Sequence, residues 1–305
     1  MGGRYVYKKI FSTIACVCFS FSLTSAVFAT ESIHAVAADQ YESNNTFGTA
    51  TSISVGKTIY ANIHTPVDID YYKIKTSVGL LTVNLTNIPA GKDYNLELYR
   101  ELYNGKKVRI ASSYNSGTTS EKIQYSVYAG TYYIKVVSAS ASGSGVYYKL
   151  STTRRSLSLA NRRNLIVSAA EHYLGASYSK IDCSDLCERA YKACGFTTIA
   201  GSSVAMAKAC RDNGVLIDRD ELRAGDLIFF AQFDPDRGSE YCGSERCCKD
   251  GEPGKCERWQ HIHHVAIYVN DKYLIDSGSK GVRKRAHWGV DTEEWKWVYY
   301  ARPNA

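Results

Sequence analysis

Few residues in this chain are placed so that their side chains could do chemistry together, and Cys183 is the first of them. It lies in Ile181-Asp182-Cys183-Ser184-Asp185-Leu186. Ahead of it, Gly175-Ala176-Ser177-Tyr178 reads as the end of a helix and a turn; behind it, Leu186, Cys187, Ala190, Tyr191 and Cys194 recur at helical spacing until Gly195 stops the pattern. Cys183 is therefore expected in the first turn of a helix, where unpaired backbone N–H groups and the positive end of the dipole favour a thiolate. A base is available downstream in His264, at the head of His264-Val265-Ala266-Ile267-Tyr268, and Asp276 ends a second short apolar run. A carboxylate there can accept the far ring N–H of the imidazole, fix its tautomer and stabilise the imidazolium. Nucleophile, base, then a third polar residue is the working order of a cysteine peptidase. His263 would replace His264 only if the strand slipped by one residue, since such a slip reverses which way each side chain faces. Cys187 and Cys194 share the apolar stripe and read as small buried hydrophobes. His172, His261 and His287 read as surface or packing residues.

The elements that must position these groups follow from the periodicity. Leu165, Ala169 and Tyr173, with Ile166, Ala170 and Leu174, form a helical stripe that Gly175 terminates. A further helix is expected from Ser203 to Asn213, stopped by Gly214, and Arg223-Ala224-Gly225-Asp226 reads as a turn into a buried strand, Leu227 to Phe230. His264 to Val269 is a strand, Asn270-Asp271 a tight turn, Lys272 to Asp276 its partner, and Trp295 to Arg302 a closing strand. Helices first and antiparallel strands after describe an α+β fold, papain-like in the broad sense, over 161–305. Residues 40–153 read differently, as all-β. Alternation is clear in Leu81 to Leu85, Leu96 to Leu98, Ile123 to Val127, Thr131 to Val137 and Val146 to Leu150. Between these runs stand Ile88-Pro89-Ala90-Gly91, Asn104-Gly105, Ser116-Gly117 and Ala129-Gly130, turn chemistry at the spacing of a β-sandwich. Arg154 to Ala160 is expected to be a linker.

The chain opens with Arg4, Lys8 and Lys9 and an apolar run from Ile10 to Phe28, with Val27-Phe28-Ala29 supplying small residues for cleavage. Residues 1–29 read as a signal peptide, which makes the protein secreted and leaves no transmembrane segment in the mature chain. The net charge is +7, of which the three basic residues of that segment account for part; the mild remainder suits retention on a polyanionic wall, and no nucleic-acid motif is present. Of ten cysteines, Cys16 and Cys18 lie in the export segment and the rest at or beyond Cys183. Four of them, Cys242, Cys247, Cys248 and Cys256, fall in an insertion over 232–261 that has no apolar periodicity. Such a loop cannot bury a core and needs a staple. Disulfides fit an exported protein, in any of three pairings, with zinc as the alternative.

Four pieces in order resemble the NlpC-type cell-wall cysteine peptidases: Asp182-Cys183-Ser184, Gly225-Asp226-Leu227-Ile228-Phe229-Phe230, His264-Val265-Ala266-Ile267-Tyr268 and the closing Tyr300-Ala301-Arg302. The resemblance implies cleavage of peptidoglycan stem peptides between γ-D-glutamate and the diamino acid, without a cofactor. It makes Cys183 the nucleophile, His264 the base and Asp276 the third residue, where relatives usually carry a second His. It places Tyr178 near the substrate and gives Asp182 and Ser184 the free amine of the substrate's N-terminal L-alanine. Asp185 departs from it, since relatives usually have Gly there. The first half resembles the bacterial pre-peptidase C-terminal domain, a jelly-roll-like sandwich, through Glu42-Ser43-Asn44-Asn45-Thr46, Asp68-Ile69-Asp70-Tyr71-Tyr72, Asp93 to Tyr99 and Ala129 to Val136. That resemblance implies a module that binds cell wall or glycan, and calcium through Glu42, Asn44, Asp68 and Asp70. The expectation is a secreted, wall-associated bacterial hydrolase. The alternatives are an N-acetylmuramoyl-L-alanine amidase, an acyl or peptidyl transferase with the same triad, and a catalytically degenerate wall-binding protein.

Overall fold

The computed structural model describes residues 36–232, 262–286 and 295–303. The segment 1–29 expected to be a signal peptide, the four cysteines of the insertion, His261 and His287 lie outside the described residues. Among the described residues no helix is long and apolar enough to cross a membrane.

The first part is a sandwich of two sheets. One has the strand order β1 (Thr51–Ser52), β3 (Ile69–Thr76), β8 (Gly130–Ser138), β5 (Tyr94–Glu101), β6 (Lys107–Ser113); the other runs β2 (Thr58–Ala61), β9 (Tyr148–Arg155), β4 (Gly79–Thr86), β7 (Glu121–Val127). Strand β4 shows the logic: Leu81, Val83 and Leu85 point inward while Thr82 and Asn84 stay half-exposed, the two-residue period of a sheet with one wet face. Those residues pack with Ile74, Leu96, Leu98 and Ile134 and with the buried tyrosines Tyr72, Tyr94, Tyr132 and Tyr148. Strands β3 and β6 were not evident in the residue pattern. In β3 the inward set includes a carboxylate, Asp70, which breaks the apolar alternation, and β6 is a half-exposed edge strand with no clean alternation. The expected linker is shorter than its residues suggested: β9 runs through Arg155, with Arg154 donating to the Val78 carbonyl at 3.0 Å, and α1 starts at Leu159.

The second part places helices α1 (Leu159–Arg163), α2 (Ile166–Glu171), α3 (Cys183–Ala193) and α4 (Ser203–Asp212) with an antiparallel sheet of order β10 (Leu216–Ile217), β15 (Trp295–Ala301), β11 (Leu227–Gln232), β12 (Ile262–Asn270), β13 (Tyr273–Gly278), β14 (Gly281–Ala286). Of the stripe expected as one helix before Gly175, only Ile166, Ala169 and Ala170 lie in α2; Leu165 is its N-cap, and Tyr173 and Leu174 lie past its end. Helix α1 precedes it across a tight turn in which Leu165 N–H donates to the Arg162 carbonyl. Leu227 to Phe230 are fully buried because β11 is covered on both faces: Leu227 and Phe229 join the helical core, Ile228 and Phe230 a second cluster with Ala266, Tyr268 and Leu274. Strand β14 was missed by sequence because it is a charged edge strand, Gly-Val-Arg-Lys-Arg-Ala. The two parts meet through backbone: Ala129 N–H donates to the Ala193 carbonyl at 2.8 Å, Tyr103 N–H to the His172 carbonyl at 3.0 Å, and Tyr128 joins the helical core.

One buried carboxylate ties three distant segments of the second part. Asp226, fully buried, accepts from Arg163 at 2.5 Å, from Arg302 at 2.9 Å and from the Arg223 backbone N–H at 2.7 Å, while Arg163 also reaches the Pro303 carbonyl at 2.7 Å. Removing the carboxylate would leave two largely buried guanidinium groups unpaired. Asp226→Ala should lower unfolding stability by roughly 3 kcal/mol in urea titration, and a loss under 1 kcal/mol would contradict this account.

Candidate active site

Helix α3 begins where the sequence places its nucleophile. Asp182 is the N-cap: its Oδ1 accepts the Asp185 backbone N–H and the Ser184 hydroxyl, each at 2.8 Å. That arrangement holds Cys183 in the first turn, 5% exposed, among N–H groups that the helix itself cannot satisfy. The segment before the helix is pinned to the sheet. Ser277 donates its hydroxyl to the Ile181 carbonyl at 2.6 Å, and Gly175 and Ala176 pair with Val282 through backbone hydrogen bonds of 2.9 and 2.8 Å. Gly281, at φ +78°, lies so close to the Ala176 carbonyl that a Cβ there would collide with it. Tyr178 is exposed, and burial first, then the neighbouring Cys183 and Asp182, raise its hydroxyl pKa.

Strand β12 brings His264 to this helix start. Its Nε2 is 2.8 Å from Asp276 Oδ2 on β13, its ring lies 5.7 Å from that of Phe230, and Cys183 is near enough to raise its pKa. His263 is exposed, so the register selects His264. Asp276 is 2% exposed and is gripped by a residue the sequence did not single out. Arg285 Nε reaches both carboxylate oxygens, at 3.0 and 2.9 Å, and a terminal nitrogen reaches Oδ2 at 2.5 Å. The electrostatics follow. Burial works against the charged imidazole, but hydrogen bonds to Asp276 and Cys183 prevail and push His264 up to about 9. Burial also opposes the Asp276 carboxylate, yet the hydrogen bonds from His264 and Arg285 hold its pKa below the ordinary value. The arrangement can hold an imidazolium between a carboxylate and a sulfur, which is the charge pattern of a thiol nucleophile poised for acyl transfer.

Of the substrate-side residues named from sequence, Asp182 and Ser184 are engaged with each other at the cap, and Ser184 is buried. Asp185 is exposed and lines a surface depression with Tyr173, Glu188, Arg189 and Lys192. Cys187, Cys194 and Cys210 are buried free thiols, and burial raises the pKa of each. His172 packs at the junction of the two parts, 4.6 Å ring to ring from Tyr173.

A second cluster lies in the sandwich. Glu42, His64 and Asp68 each offer a ligand atom, all within 4.8 Å of one another. Asp68 Oδ2 accepts from the His64 backbone N–H at 2.8 Å and lies 2.6 Å from its Nδ1. Glu42 Oε1 lies 3.3 Å from His64 Nδ1, and the buried oxygens Asn44 Oδ1, Asp68 Oδ1 and Asp70 Oδ1 nearby have no hydrogen-bond partner. Burial and the neighbouring Asp68 raise Glu42; Asp70, which accepts from the Tyr148 hydroxyl at 2.5 Å, is pushed up by burial to about 8. Orphaned buried oxygens among mutually repelling carboxylates are what a hard divalent cation would satisfy, so the residues fit one. His64 was not foreseen; it reaches the cluster from four residues before Asp68.

Compared with known proteins, residues 171–243 match the NlpC/P60 family. A γ-D-glutamyl-L-lysine dipeptidyl-peptidase of Bacillus cereus is 30% identical over 119 residues, 39% of this chain. The chain spans about a quarter of that relative's length, 27%. Among solved structures, the pre-peptidase C-terminal domain of a Bacillus anthracis collagenase matches at TM-score 0.30 and 19% identity, covering 34% of this chain and 94% of that one. A mitogen from Yersinia pseudotuberculosis matches at 0.27 and 19%, covering 33% and 87%. Neither structural likeness bears on what the sandwich binds.

The His264 geometry has a pH signature. Folding raises this imidazole above its unfolded value near 6.5, so its contribution to stability is complete below about pH 6.5 and is lost as pH rises through about 9. The difference in unfolding free energy between wild type and His264→Gln should therefore shrink between pH 6 and pH 9.5, roughly the span of that titration. A difference that is constant over this range would show that the imidazole is not held charged.

Proposed function

We propose that this protein is a peptidoglycan hydrolase that cuts cell-wall stem peptides as a cysteine endopeptidase, through Cys183, His264 and Asp276. The observation that carries the reading is the contact line itself: a cysteine in the first turn of a capped helix, an imidazole in contact with it, and a buried carboxylate 2.8 Å from the far ring nitrogen. The NlpC/P60 match and the dipeptidyl-peptidase relative support the substrate class.

In this reading the Cys183 sulfur attacks the carbonyl carbon of the scissile amide, and the C=O electron pair moves onto oxygen. The Cys183 backbone N–H, unsatisfied at the helix start, donates to that oxyanion. His264 gives its proton to the leaving amine as the C–N bond breaks, leaving a thioester on Cys183. The now neutral imidazole takes a proton from water, whose oxygen attacks the thioester and returns the sulfur. Asp276 stays ionised throughout, holding Nε2–H toward itself so that the other ring nitrogen faces the sulfur.

The bond we favour joins γ-D-glutamate to the diamino acid, with Tyr178, Asp182 and Ser184 on the side of the substrate's free amine. The same constellation would serve an amidase or a transferase, and product analysis separates them by which new amine appears. We further propose export by the segment 1–29, a division into a wall-holding sandwich and a peptidase domain from residue 161, and calcium held by Glu42, Asn44, Asp68 and Asp70, where it would supply charge compensation and tie the loops together.

Cys183→Ala should abolish release of new amines from purified muropeptides, read by mass spectrometry, with the fold retained by circular dichroism. Asp276→Ala should keep roughly one part in a hundred or less of the wild-type rate, since the imidazole loses its orientation. Full activity in either variant would remove the assignment. For the sandwich, added calcium should raise the melting temperature and EDTA should reverse it, with Asp68→Asn insensitive to both; identical melting curves under all conditions would rule the ion out.

A further inference from the structure

We propose that Arg285 is a positioning residue of the Cys183–His264–Asp276 line, locking Asp276 in its ionised form and in the rotamer that faces the imidazole. The inference deepens the peptidase reading above and rests on it.

The starting point is that Asp276 is a charge in a buried place. Its side chain is 3% exposed, and a carboxylate so desolvated tends to take up a proton unless several donors hold it. A protonated Asp276 could still touch His264, but it would lose the charge that stabilises the imidazolium. The His264 ring supplies one donor, to Oδ2. Arg285 supplies the rest: its Nε spans both oxygens and a terminal nitrogen closes on Oδ2. A planar fork against a planar carboxylate fixes both the position and the rotation of the group, which a single hydrogen bond from imidazole leaves undetermined.

The hairpin explains why Arg285 does this and its basic neighbours do not. In the β13–β14 register Arg285 pairs with Leu274 and Arg283 with Asp276, so Arg285 is the diagonal neighbour of the carboxylate on the same face. Arg283 is exposed, and Lys284 turns away to Glu171 at 3.0 Å. Arg285 alone of the three is half-buried, 27% exposed at its side chain. The hairpin is also the piece anchored to the nucleophile's approach, through Ser277 to Ile181 and through Val282 to Gly175 and Ala176. Arg285 therefore couples the orientation of the base to the same strand pair that fixes the helix start.

The charge has a second effect, opposite in sign. A guanidinium sharing Asp276 with His264 draws off part of the carboxylate's field and so restrains the rise of the imidazole pKa. Over the alkaline range in which His264 titrates, the imidazolium itself keeps Asp276 ionised, and uptake of a proton by Asp276 is confined to acid. In that alkaline range loss of the guanidinium should loosen the carboxylate's orientation and let the imidazolium persist to higher pH.

The test uses the full chain and two variants, Arg285→Met and Arg285→Lys, with histidine-ring nitrogen NMR over a pH titration and kcat and KM on defined muropeptides. Arg285→Met should move the His264 titration upward by about one unit and lower kcat about tenfold, with KM near wild type. Arg285→Lys should return the titration toward wild type, because charge is restored, while recovering kcat only in part, because the fork is not. Should the methionine variant fail to fold, the lysine variant carries the test through its kcat deficit at a wild-type titration. A merely structural arginine would change the melting temperature and leave the His264 titration and the kcat of folded protein unmoved; that outcome overturns the proposal. The NMR arm needs no substrate: if the wild type cuts no wall fragment and the titration still shifts in Arg285→Met, the peptidase reading fails and the positioning role stands.

Discussion

Everything at the candidate site depends on keeping a carboxylate ionised where water is scarce. Asp276 is buried, and burial works against its charge. The His264 imidazole and the Arg285 fork reverse that preference, and the imidazole in turn is raised to about 9 by Asp276 and Cys183. The three groups hold one another in charged form, so none can be understood from its own surroundings. A sulfur at a capped helix start is the fourth member of the set, and the helix supplies unsatisfied N–H groups there whether or not any base is near. The chemistry proposed for the site is what that charge pattern makes possible.

The architecture serves this interaction with few contacts. Strands β12 and β13 carry the base and its carboxylate, β14 carries the guanidinium, and two small attachments bind that hairpin to the segment leading into α3. Ser277 reaches the Ile181 carbonyl, and Gly281 lets the backbone of Ala176 approach where a side chain would block it. The helix start and the base are thus fixed to the same pair of strands. Away from the site, Asp226 performs a comparable service by joining α1, the turn before β11 and the chain after β15 around one buried charge.

The sandwich has its own concentration of charge. Its acidic loops bring Glu42 and Asp68 together beside His64, with Asp70 behind them bonded to Tyr148, and leave several buried oxygens without donors. A protein does not normally retain such groups unless something meets them. Their neighbourhood lies far from Cys183 in sequence and shares no residue with the contact line described above. Contact between the halves runs through the Tyr128–Ala129 turn and the Tyr103 loop, against α2, the residue that follows it and the end of α3.

The positions of Cys183, His264 and Asp276 and most of the described strands were legible in the residues alone, for a physical reason. Helix starts and stops, two-residue alternation and turn chemistry are local, and they placed Cys183 in a first turn and His264 in the first residues of a strand, which starts at Ile262, without knowledge of any long-range contact. The apolar run Leu227 to Phe230 announced a buried strand in the same way. What local pattern could not supply was partnership across strands. Arg285 lies in an edge strand whose charges hide its period, and only the register with β13 sets it diagonal to Asp276. His64 lies in a loop with no period at all, and β3 conceals its alternation behind the inward Asp70. Asp182 and Ser184 were singled out by motif, but only the folded helix shows that their side chains are spent on each other and on the cap. Sequence determined which residues could do chemistry, because reactivity and local conformation are properties of short stretches. Tertiary structure decided which charges keep them in their working state, because a buried ion pair exists only once distant strands are in register.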